Sequence, residues 1–201
     1  MSRPICWLSG SAGSGKSAVS QTIAKRYDDK DRLLASFFFL RGAGDRSTIA
    51  RLIPTLAYQL SISVPATEPL IRDVIRKEPA IFSQSLTHQF TRLITEPIMA
   101  ARKSILARLP WTKPAVIVID ALDECDDKDL MAEFIGVIIG IFQANRRLPF
   151  RIVFTSRVEE HIRQKLETSA ARSVVHRLSL DSYDAHRDLH TFFQTRFSTI
   201  Y

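Results

Sequence analysis

The sequence predicts an α/β fold, with a parallel β-sheet covered by helices on both faces. Five short β-rich runs alternate with helical patterns along the chain, as strands and helices do in βαβ units. One of these runs, residues 115–119, is apolar throughout, which is typical of a strand buried on both faces. A glycine-rich segment at residues 10–15 follows the first β-rich run and precedes the first helical pattern. Loops at the carboxyl ends of the strands are therefore where we expect functional residues.

Length and composition fit a single domain over residues 1–201. Of the 201 residues, 45% are hydrophobic and 24% charged, so the chain can bury a core without disulfides or metals. Cys6 and Cys125 are far apart, match no metal-binding spacing and are expected to be free thiols. The longest apolar run, residues 134–142, is too short to cross a bilayer, and no secretory signal is visible. We expect a cytoplasmic protein with no membrane span.

The elements follow from hydrophobic periodicity and turn residues. Strands are predicted at residues 5–9, 33–39, 115–119, 151–155 and 173–178. Helices are predicted at residues 16–27 and 127–145, and within a helical insertion over about residues 42–114, where segments 49–60, 68–77 and 86–108 have helical patterns. Pro54 lies inside the first of these segments, so that helix either kinks there or begins near Ile53. Gly136 and Gly140 form a G-x-x-x-G pattern that predicts close helix packing.

Residues 10–17, GSAGSGKS, match the pattern G-x-x-x-x-G-K-[ST]. Between a strand and a helix, such glycines let backbone N–H groups surround a phosphate, which the helix N-terminus also attracts. Lys16 would contact the β- and γ-phosphates, and Ser17 would ligate Mg²⁺. An ordinary Gly/Ser turn is the alternative. The residues predicted to bind nucleotide are Gly10, Ser11, Ala12, Gly13, Ser14, Gly15, Lys16, Ser17 and Ala18.

A second motif, VIVIDALDE, occupies residues 116–124. Asp120 ends a buried strand, where an acid can hold Mg²⁺ directly or through water. Asp123 and Glu124 follow it, and a carboxylate beside the γ-phosphate could orient and deprotonate an attacking water. The alternative is an acidic turn that caps the next helix. The acids best suited to such capping are Asp126, Asp127 and Asp129.

A third polar group, Thr-Ser-Arg at residues 155–157, ends the fourth predicted strand. Sites in parallel sheets gather at the carboxyl ends of strands. Arg157 is therefore predicted to sense or neutralise the γ-phosphate. The alternative is an ordinary surface arginine.

These motifs together resemble the NACHT-type STAND NTPases, in particular the nephrocystin-like N-terminal NTPase module of fungi. The likeness extends over about the whole chain. It is carried by CWLSG at 6–10, SFFF at 36–39, TLAYQL at 55–60, IDALDEC at 119–125 and FTSR at 154–157. The resemblance implies a three-layer P-loop NTPase of the ASCE type with a five-stranded sheet. In that fold, the strand before Arg157 lies between the strand before the glycine-rich loop and the strand that ends in Asp120.

The resemblance also implies roles for the acids and the arginine. Asp120 would be the magnesium acid, Asp123 and Glu124 the catalytic acidic pair with Glu124 favoured as the base, and Arg157 the first sensor. It implies ATP and ADP as ligands with Mg²⁺, slow hydrolysis and a homo-oligomer in the ATP-bound state. We expect the effector and sensor domains of longer relatives to be absent from this chain, so how adenine is held stays open.

The leading hypothesis is a Mg²⁺-dependent ATPase of weak intrinsic activity that acts as a switch. A nucleotide-binding interaction module without significant turnover is the alternative. A nucleic-acid-associated ATPase is the third reading, suggested by the formal net charge of +7. The basic residues flank helices and strand starts, with Trp111 as their only aromatic neighbour, which favours solvated faces over a nucleic-acid surface. His186 and His190, spaced i and i+4, supply two ligands, too few to indicate a metal site.

Overall fold

The computed structural model describes residues 3–103, 114–145 and 147–182 of the chain. Within these ranges, five strands form one parallel sheet in the order β2-β3-β4-β1-β5. The strands are β1 (Ile5–Ser9), β2 (Leu33–Phe38), β3 (Ala115–Asp120), β4 (Phe150–Ser156) and β5 (Val175–Ser179). The predicted α/β class is confirmed, and β4 lies between β1 and β3 as the resemblance implied.

Helices flank the sheet to give a three-layer, P-loop NTPase-like fold. The described helices are α1 (Lys16–Asp28), α2 (Leu52–Ser63), α3 (Glu68–Lys77), α4 (Leu86–Phe90), α5 (Glu96–Lys103), α6 (Lys128–Ala144) and α7 (Glu160–Leu166). The helices α2 to α5 lie between β2 and β3, which confirms a helical insertion there. Because α2 begins at Leu52, Pro54 lies in its first turn, where a missing N–H removes no helical hydrogen bond.

The predicted helix over residues 86–108 is divided by a π-helical turn, Thr91–Thr95, between α4 and α5. Residues 104–108 lie outside the described ranges, as do His186 and His190. Among the described residues, no helix combines the length and the apolar character that a membrane crossing needs.

Alternation of side chains along the strands makes the two faces of the sheet unequal. Val116, Val118 and Val153 point towards α1 and form a small buried group with Ala24. The neighbouring positions in β3 and β4 point the opposite way, into a much larger core built with the insertion helices, α6 and α7. In that core the ring of Phe134 makes edge-on contacts with Phe90 and Phe154, with centroids 6.1 and 6.4 Å apart.

The edge strand β2 is covered by a side chain from α2. Gln59 Oε1 accepts a hydrogen bond from the backbone N–H of Ser36 at 2.7 Å, and Gln59 Nε2 donates to the Ser36 carbonyl at 2.9 Å. The amide of Gln59 thus replaces a neighbouring strand at the middle of β2. Paired edge groups are unavailable to another chain, so this contact protects the sheet from edge-to-edge association.

The expectation of close helix packing at Gly136 and Gly140 is wrong for the described part of the chain. A Cβ added at either position would meet no described heavy atom within 4 Å. Because both glycines lie in α6, they reduce helix propensity without allowing a close approach.

Candidate functional site

The glycine-rich loop joins β1 to α1, and its conformation requires its glycines. Gly13 and Gly15 have φ values of 75° and 84°, in the left-handed region that residues with a Cβ rarely adopt. At Gly10 the constraint is steric, because an added Cβ would lie 2.6 Å from Ser14 Oγ and 3.2 Å from Leu180 Cβ. The spacing of the three glycines therefore follows from backbone geometry and packing.

The first turn of α1 is left open for an anion. Its N-cap, Gly15, supplies no side-chain hydrogen bond, and no acidic residue lies in the turn. The first N–H groups of a helix have no partners within the helix, and the helix dipole places partial positive charge there. Lys16 adds a full positive charge, while the side chain of Ser17 adds a hydroxyl.

The ammonium of Lys16 is folded onto its own loop. Lys16 Nζ donates to the carbonyl oxygens of Gly10 at 2.8 Å and Ser11 at 2.6 Å, and to Ser14 Oγ at 3.3 Å. A phosphate bound in the loop would compete with these carbonyls for the ammonium protons. The lysine is thus held at the loop by neutral acceptors that an anion can displace.

Asp120 is buried at the end of β3 and anchored by hydroxyl groups. Its Oδ1 accepts a hydrogen bond from Ser20 Oγ of α1 at 2.7 Å and another from Thr155 Oγ1 of β4. Thr155 Oγ1 in turn accepts from the N–H of Ala121 at 3.0 Å. With 2% of its surface exposed, Asp120 connects the end of β3 with α1 and β4.

Ala121 turns the chain at the end of β3, with φ 58° and ψ 51° in the left-handed region. Ala121 has a Cβ and therefore bears the steric cost of this conformation, about 1–2 kcal/mol, which a bulky or β-branched side chain would increase. The turn places Asp123 and Glu124 in a short 3-10 helix, Leu122–Glu124, beside the carboxyl end of β4.

Asp123 and Arg157 form a two-point contact across this end of the sheet. Arg157 donates its backbone N–H to Asp123 Oδ1 at 2.9 Å and its Nε–H to Asp123 Oδ2 at 2.6 Å. Hydrogen bonding to this carboxylate raises the pKa of the Arg157 guanidinium. Both carboxylate oxygens of Asp123 therefore accept hydrogen bonds from Arg157, which makes Asp123 a positioning residue for the arginine in this arrangement.

Glu124 is the more accessible acid of the pair. Its Oε2 accepts a hydrogen bond from the backbone N–H of Arg41 at 3.2 Å, and the Arg41 guanidinium donates to the Asp123 carbonyl at 2.7 Å. Glu159 lies nearby, 3.0 Å from Lys128 Nζ and 4.0 Å from the Arg41 guanidinium. Arg41 thus fixes the acidic turn from the loop that follows β2.

These groups meet in one open cavity of about 400 Å³ at the carboxyl end of the sheet. Its lining comprises Ala12, Gly13, Ser14, Gly15, Lys16, Ser17, Ala18, Ala121, Asp123, Glu124, Thr155 and Arg157. Most of the residues predicted from the sequence are brought together here. Gly10, Ser11 and Asp120 are not among the residues that line the cavity. The volume lies within the usual range of small-ligand sites.

Four residues at the site were not assigned a role from the sequence. Ser20 and Thr155 hold Asp120, and Arg41 holds the acidic turn, as described above. The fourth, Asp181, follows β5, and its Oδ1 accepts hydrogen bonds of 2.9 Å from both the N–H and the hydroxyl of Ser11. These two bonds lower the pKa of the Asp181 carboxyl. The TSR motif pointed to Thr155, but no local pattern indicated the other three.

Three further acids follow the β3 motif, and the expected support of the next helix holds for Asp127 and Asp129 but not for Asp126. The side chain of Asp127 caps α6 by accepting the N–H of Leu130 at 2.9 Å. Asp126 accepts a hydrogen bond from Ser47 Oγ. Asp129 lies in the first turn of α6, where a negative charge stabilises the helix dipole.

The donor set at the site fits Mg²⁺ held together with phosphates. Ser17 offers a hydroxyl at the cavity, and the Asp120 carboxylate, which does not line the cavity, accepts hydrogen bonds from the hydroxyl groups of Ser20 and Thr155. Mg²⁺ prefers oxygen ligands and is usually bound through one or two protein groups with waters and substrate phosphates. Over the described ranges, no group of three or more His, Cys, Asp and Glu residues forms an all-protein metal site.

Comparison with known proteins gives a family. A family profile described as nephrocystin 3, N-terminal, matches residues 1–157. No curated protein matches the chain significantly. The matched segment begins before β1 and ends at Arg157, so it includes the glycine-rich loop, Asp120 and the acidic pair. On this match over most of its length, the chain belongs to the nephrocystin 3 N-terminal family.

Proposed function

We propose that the chain is a Mg²⁺-dependent nucleotide switch of the NACHT type, which binds ATP and ADP and hydrolyses ATP slowly. The observation that carries the proposal is the single cavity shared by the glycine-rich loop, the acidic pair and Arg157. An uncapped helix start with a lysine favours phosphate, while a carboxylate on the opposite side favours chemistry on water.

Each residue has a distinct part in this proposal. The N–H groups at the start of α1 and the ammonium of Lys16 bind the phosphates, once Lys16 leaves the carbonyls of Gly10 and Ser11. Ser17, and Asp120 through water, would hold Mg²⁺, which when bound supplies positive charge to the phosphate oxygens. Arg157, oriented by Asp123, stabilises negative charge that develops on the terminal phosphate.

Glu124 is the general base in this scheme. One of its oxygens, Oε2, is occupied by the N–H of Arg41, so Oε1 is the atom that accepts the proton from the attacking water. Water adds to the γ-phosphorus, the bond to the β-γ bridging oxygen breaks, and ADP and inorganic phosphate leave. The proton on Glu124 then returns to solvent.

A nucleotide-binding module without significant turnover is the second candidate. The contact of Asp123 with Arg157 and that of Glu124 with Arg41 favour it, because both acids already have partners. In that case the site binds nucleotide and signals its presence, and no general base acts on water.

The decisive experiment measures Mg-ATP binding and phosphate release for the purified chain. We expect Lys16→Ala to abolish binding, and Glu124→Gln to retain binding and lose phosphate release. Matched controls are Lys25→Ala on the exposed side of α1 and Glu133→Gln on the exposed side of α6, which should change neither quantity. Binding without phosphate release in the unmodified chain supports the second candidate. Unchanged nucleotide binding in Lys16→Ala contradicts both.

Assembly in the ATP-bound state belongs to the same proposal. We expect the chain to be monomeric with ADP and to associate with ATP in the Glu124→Gln variant, where the triphosphate persists. Light scattering of that variant with each nucleotide tests this expectation.

A further inference from the structure

A second cavity lies at the opposite end of the sheet, at the amino ends of its strands. It has a volume of about 470 Å³ and is placed beside the α1 face. Arg3 precedes β1, Arg32 precedes β2 and Arg151 lies in β4, and the side chains of all three line this cavity. The glycine-rich loop and Arg157 are at the other ends of these strands, so this cavity is separate from the nucleotide site.

The three arginines have no acidic partners in the part of the chain that the structure describes. The described ion pairs include none of them, and the lining contains no Asp or Glu. Arg32 donates to the carbonyl of Pro114, and Arg151 donates to the carbonyls of Leu148 and Phe150, at 3.3 and 3.1 Å. These neutral acceptors fix the side chains without cancelling their charge.

Partial burial makes the unpaired charge of Arg32 and Arg151 unfavourable, whereas Arg3 is exposed. Arg32 Nε is buried and has no hydrogen-bond partner among the described atoms. Desolvation of Arg151 lowers its pKa, which means that its charged form is destabilised where it stands. An anion placed between the guanidinium groups would offset the free-energy cost that desolvation imposes on their charge.

The remaining wall of the cavity is less polar. The Tyr27 ring, which lies 5.0 Å from the guanidinium carbon of Arg32, forms part of it, together with Ile23 and Cys6. Guanidinium groups bind phosphate through paired N–H donors, whereas an aromatic and aliphatic wall suits a carbon group attached to that phosphate.

We propose that this cavity, between Arg3, Arg32 and Arg151, is a second ligand site, specific for a phosphate ester. The phosphoryl group lies among the guanidinium groups, and the organic part packs against Tyr27 and Ile23. The ester has two possible sources, a soluble metabolite or the headgroup of a lipid, and both present the same group to the arginines.

The test uses the full chain carrying Lys16→Ala, which removes phosphate binding at the glycine-rich loop. Phenyl phosphate and inorganic phosphate are titrated by calorimetry at low and high salt. We expect phenyl phosphate to bind more tightly than inorganic phosphate, because only the ester contacts the Tyr27 wall. No binding of phenyl phosphate to this variant would overturn the proposal.

Added substitutions then locate the site. Arg32→Gln and Arg3→Gln should each weaken phenyl phosphate binding by about tenfold or more, as expected for the loss of a charge-assisted hydrogen bond. Arg172→Gln removes an equal charge from an exposed residue outside the cavity and should leave binding unchanged. Equal losses in all three variants would show a diffuse charge effect and contradict the site. Arg3 is exposed, so its replacement tests the proposal even if Arg32→Gln does not fold.

Two further arms identify the source of the ester. The first arm measures whether the chain sediments with phosphatidylcholine vesicles that contain phosphatidic acid. Sedimentation with these vesicles but not with pure phosphatidylcholine vesicles supports a lipid headgroup, provided that Arg32→Gln abolishes the sedimentation. Phenyl phosphate binding without sedimentation supports a soluble ester. The second arm adds duplex DNA at low salt. If DNA displaces phenyl phosphate, and Arg172→Gln removes this displacement as fully as Arg32→Gln does, the arginines belong to a nucleic-acid surface and the proposal is overturned.

Discussion

Arg157 donates two hydrogen bonds to the Asp123 carboxylate, one from its backbone N–H at 2.9 Å and one from its guanidinium Nε at 2.6 Å. The carboxylate is 3% exposed, whereas the guanidinium side chain is 41% exposed. One partner is therefore buried and the other reaches the cavity at the carboxyl end of the sheet. This asymmetry lets Asp123 set the direction of Arg157 while the arginine keeps donors for a ligand.

Removing the arginine side chain should destabilise the fold modestly. Arg157→Ala leaves Asp123 Oδ2 without its donor, and we expect a loss of about 1–2 kcal/mol, small for a charged hydrogen bond because the guanidinium is partly in solvent. Denaturant titration measures this loss, and Asp123→Ala with the double variant gives the coupling. Arg163→Ala, which breaks an exposed ion pair with Glu160, is the control and should change little. Additive effects of the two substitutions would mean that the contact contributes nothing.

The parallel sheet and the glycine-rich loop could be predicted from the residues because their causes are local or topological, whereas the place of β4 between β1 and β3 was expected only from the family resemblance. A run such as residues 115–119 has one stable environment, between two helical layers, and parallel strands must bring their carboxyl ends together. The left-handed φ values of Gly13 and Gly15 are constraints that act within the loop itself, whereas Gly10 is also constrained by the distant Leu180. Both kinds of signal are visible in a short window of sequence.

The partners of the site residues could not be predicted, because they come from distant positions. Asp181 is 170 residues from Ser11, and Ser20 is 100 residues from Asp120. A lone Asp or Ser has no periodicity that distinguishes it from a solvated residue. The contact of Asp123 with Arg157 likewise spans 34 residues, and the sequence predicted a place beside an attacking water for this acid.

The glycines of the chain should respond oppositely to alanine, according to their surroundings. Gly10→Ala places a methyl group against Ser14 Oγ and Leu180 Cβ, so we expect a destabilisation of about 1–3 kcal/mol and weaker phosphate binding. Gly136→Ala adds a methyl group within α6, where no described atom lies within 4 Å, and should stabilise the chain by up to about 1 kcal/mol. Thermal unfolding of the two variants provides the comparison. A stable, fully binding Gly10→Ala variant would contradict the packing described for the loop.

The charge of Asp181 should oppose phosphate binding, while its hydrogen bonds support the loop. Asp181→Asn keeps an acceptor for the Ser11 N–H and removes a negative charge whose field reaches Lys16. We expect this variant to bind ADP a few-fold more tightly at low salt, with the difference reduced at high salt. Calorimetry at two ionic strengths measures it, and Asp45→Asn, an exposed acid outside the cavity, is the control. Weaker ADP binding in Asp181→Asn would mean that the negative charge of Asp181 is needed to hold the loop through Ser11.

His161 should make stability fall as the pH is lowered through the weakly acidic range. Burial lowers the pKa of this imidazole, and the charge of Lys128 lowers it further. The carboxylates of Glu159, Asp123 and Asp129 raise the pKa, with Glu159 closest at 3.6 Å from Nδ1, but burial outweighs them. A histidine in the unfolded chain titrates at about pH 6.5, so the unfolded chain binds the proton more readily than the folded chain does. The stability that the neutral imidazole provides is therefore complete above this pH and is lost as the pH falls towards the lower folded-state pKa. Denaturant titrations between about pH 5 and 8 should show this decline in the unmodified chain and a flatter profile in His161→Gln, since carboxylates titrate mainly at lower pH. Identical profiles for the two proteins would show that His161 does not control this dependence.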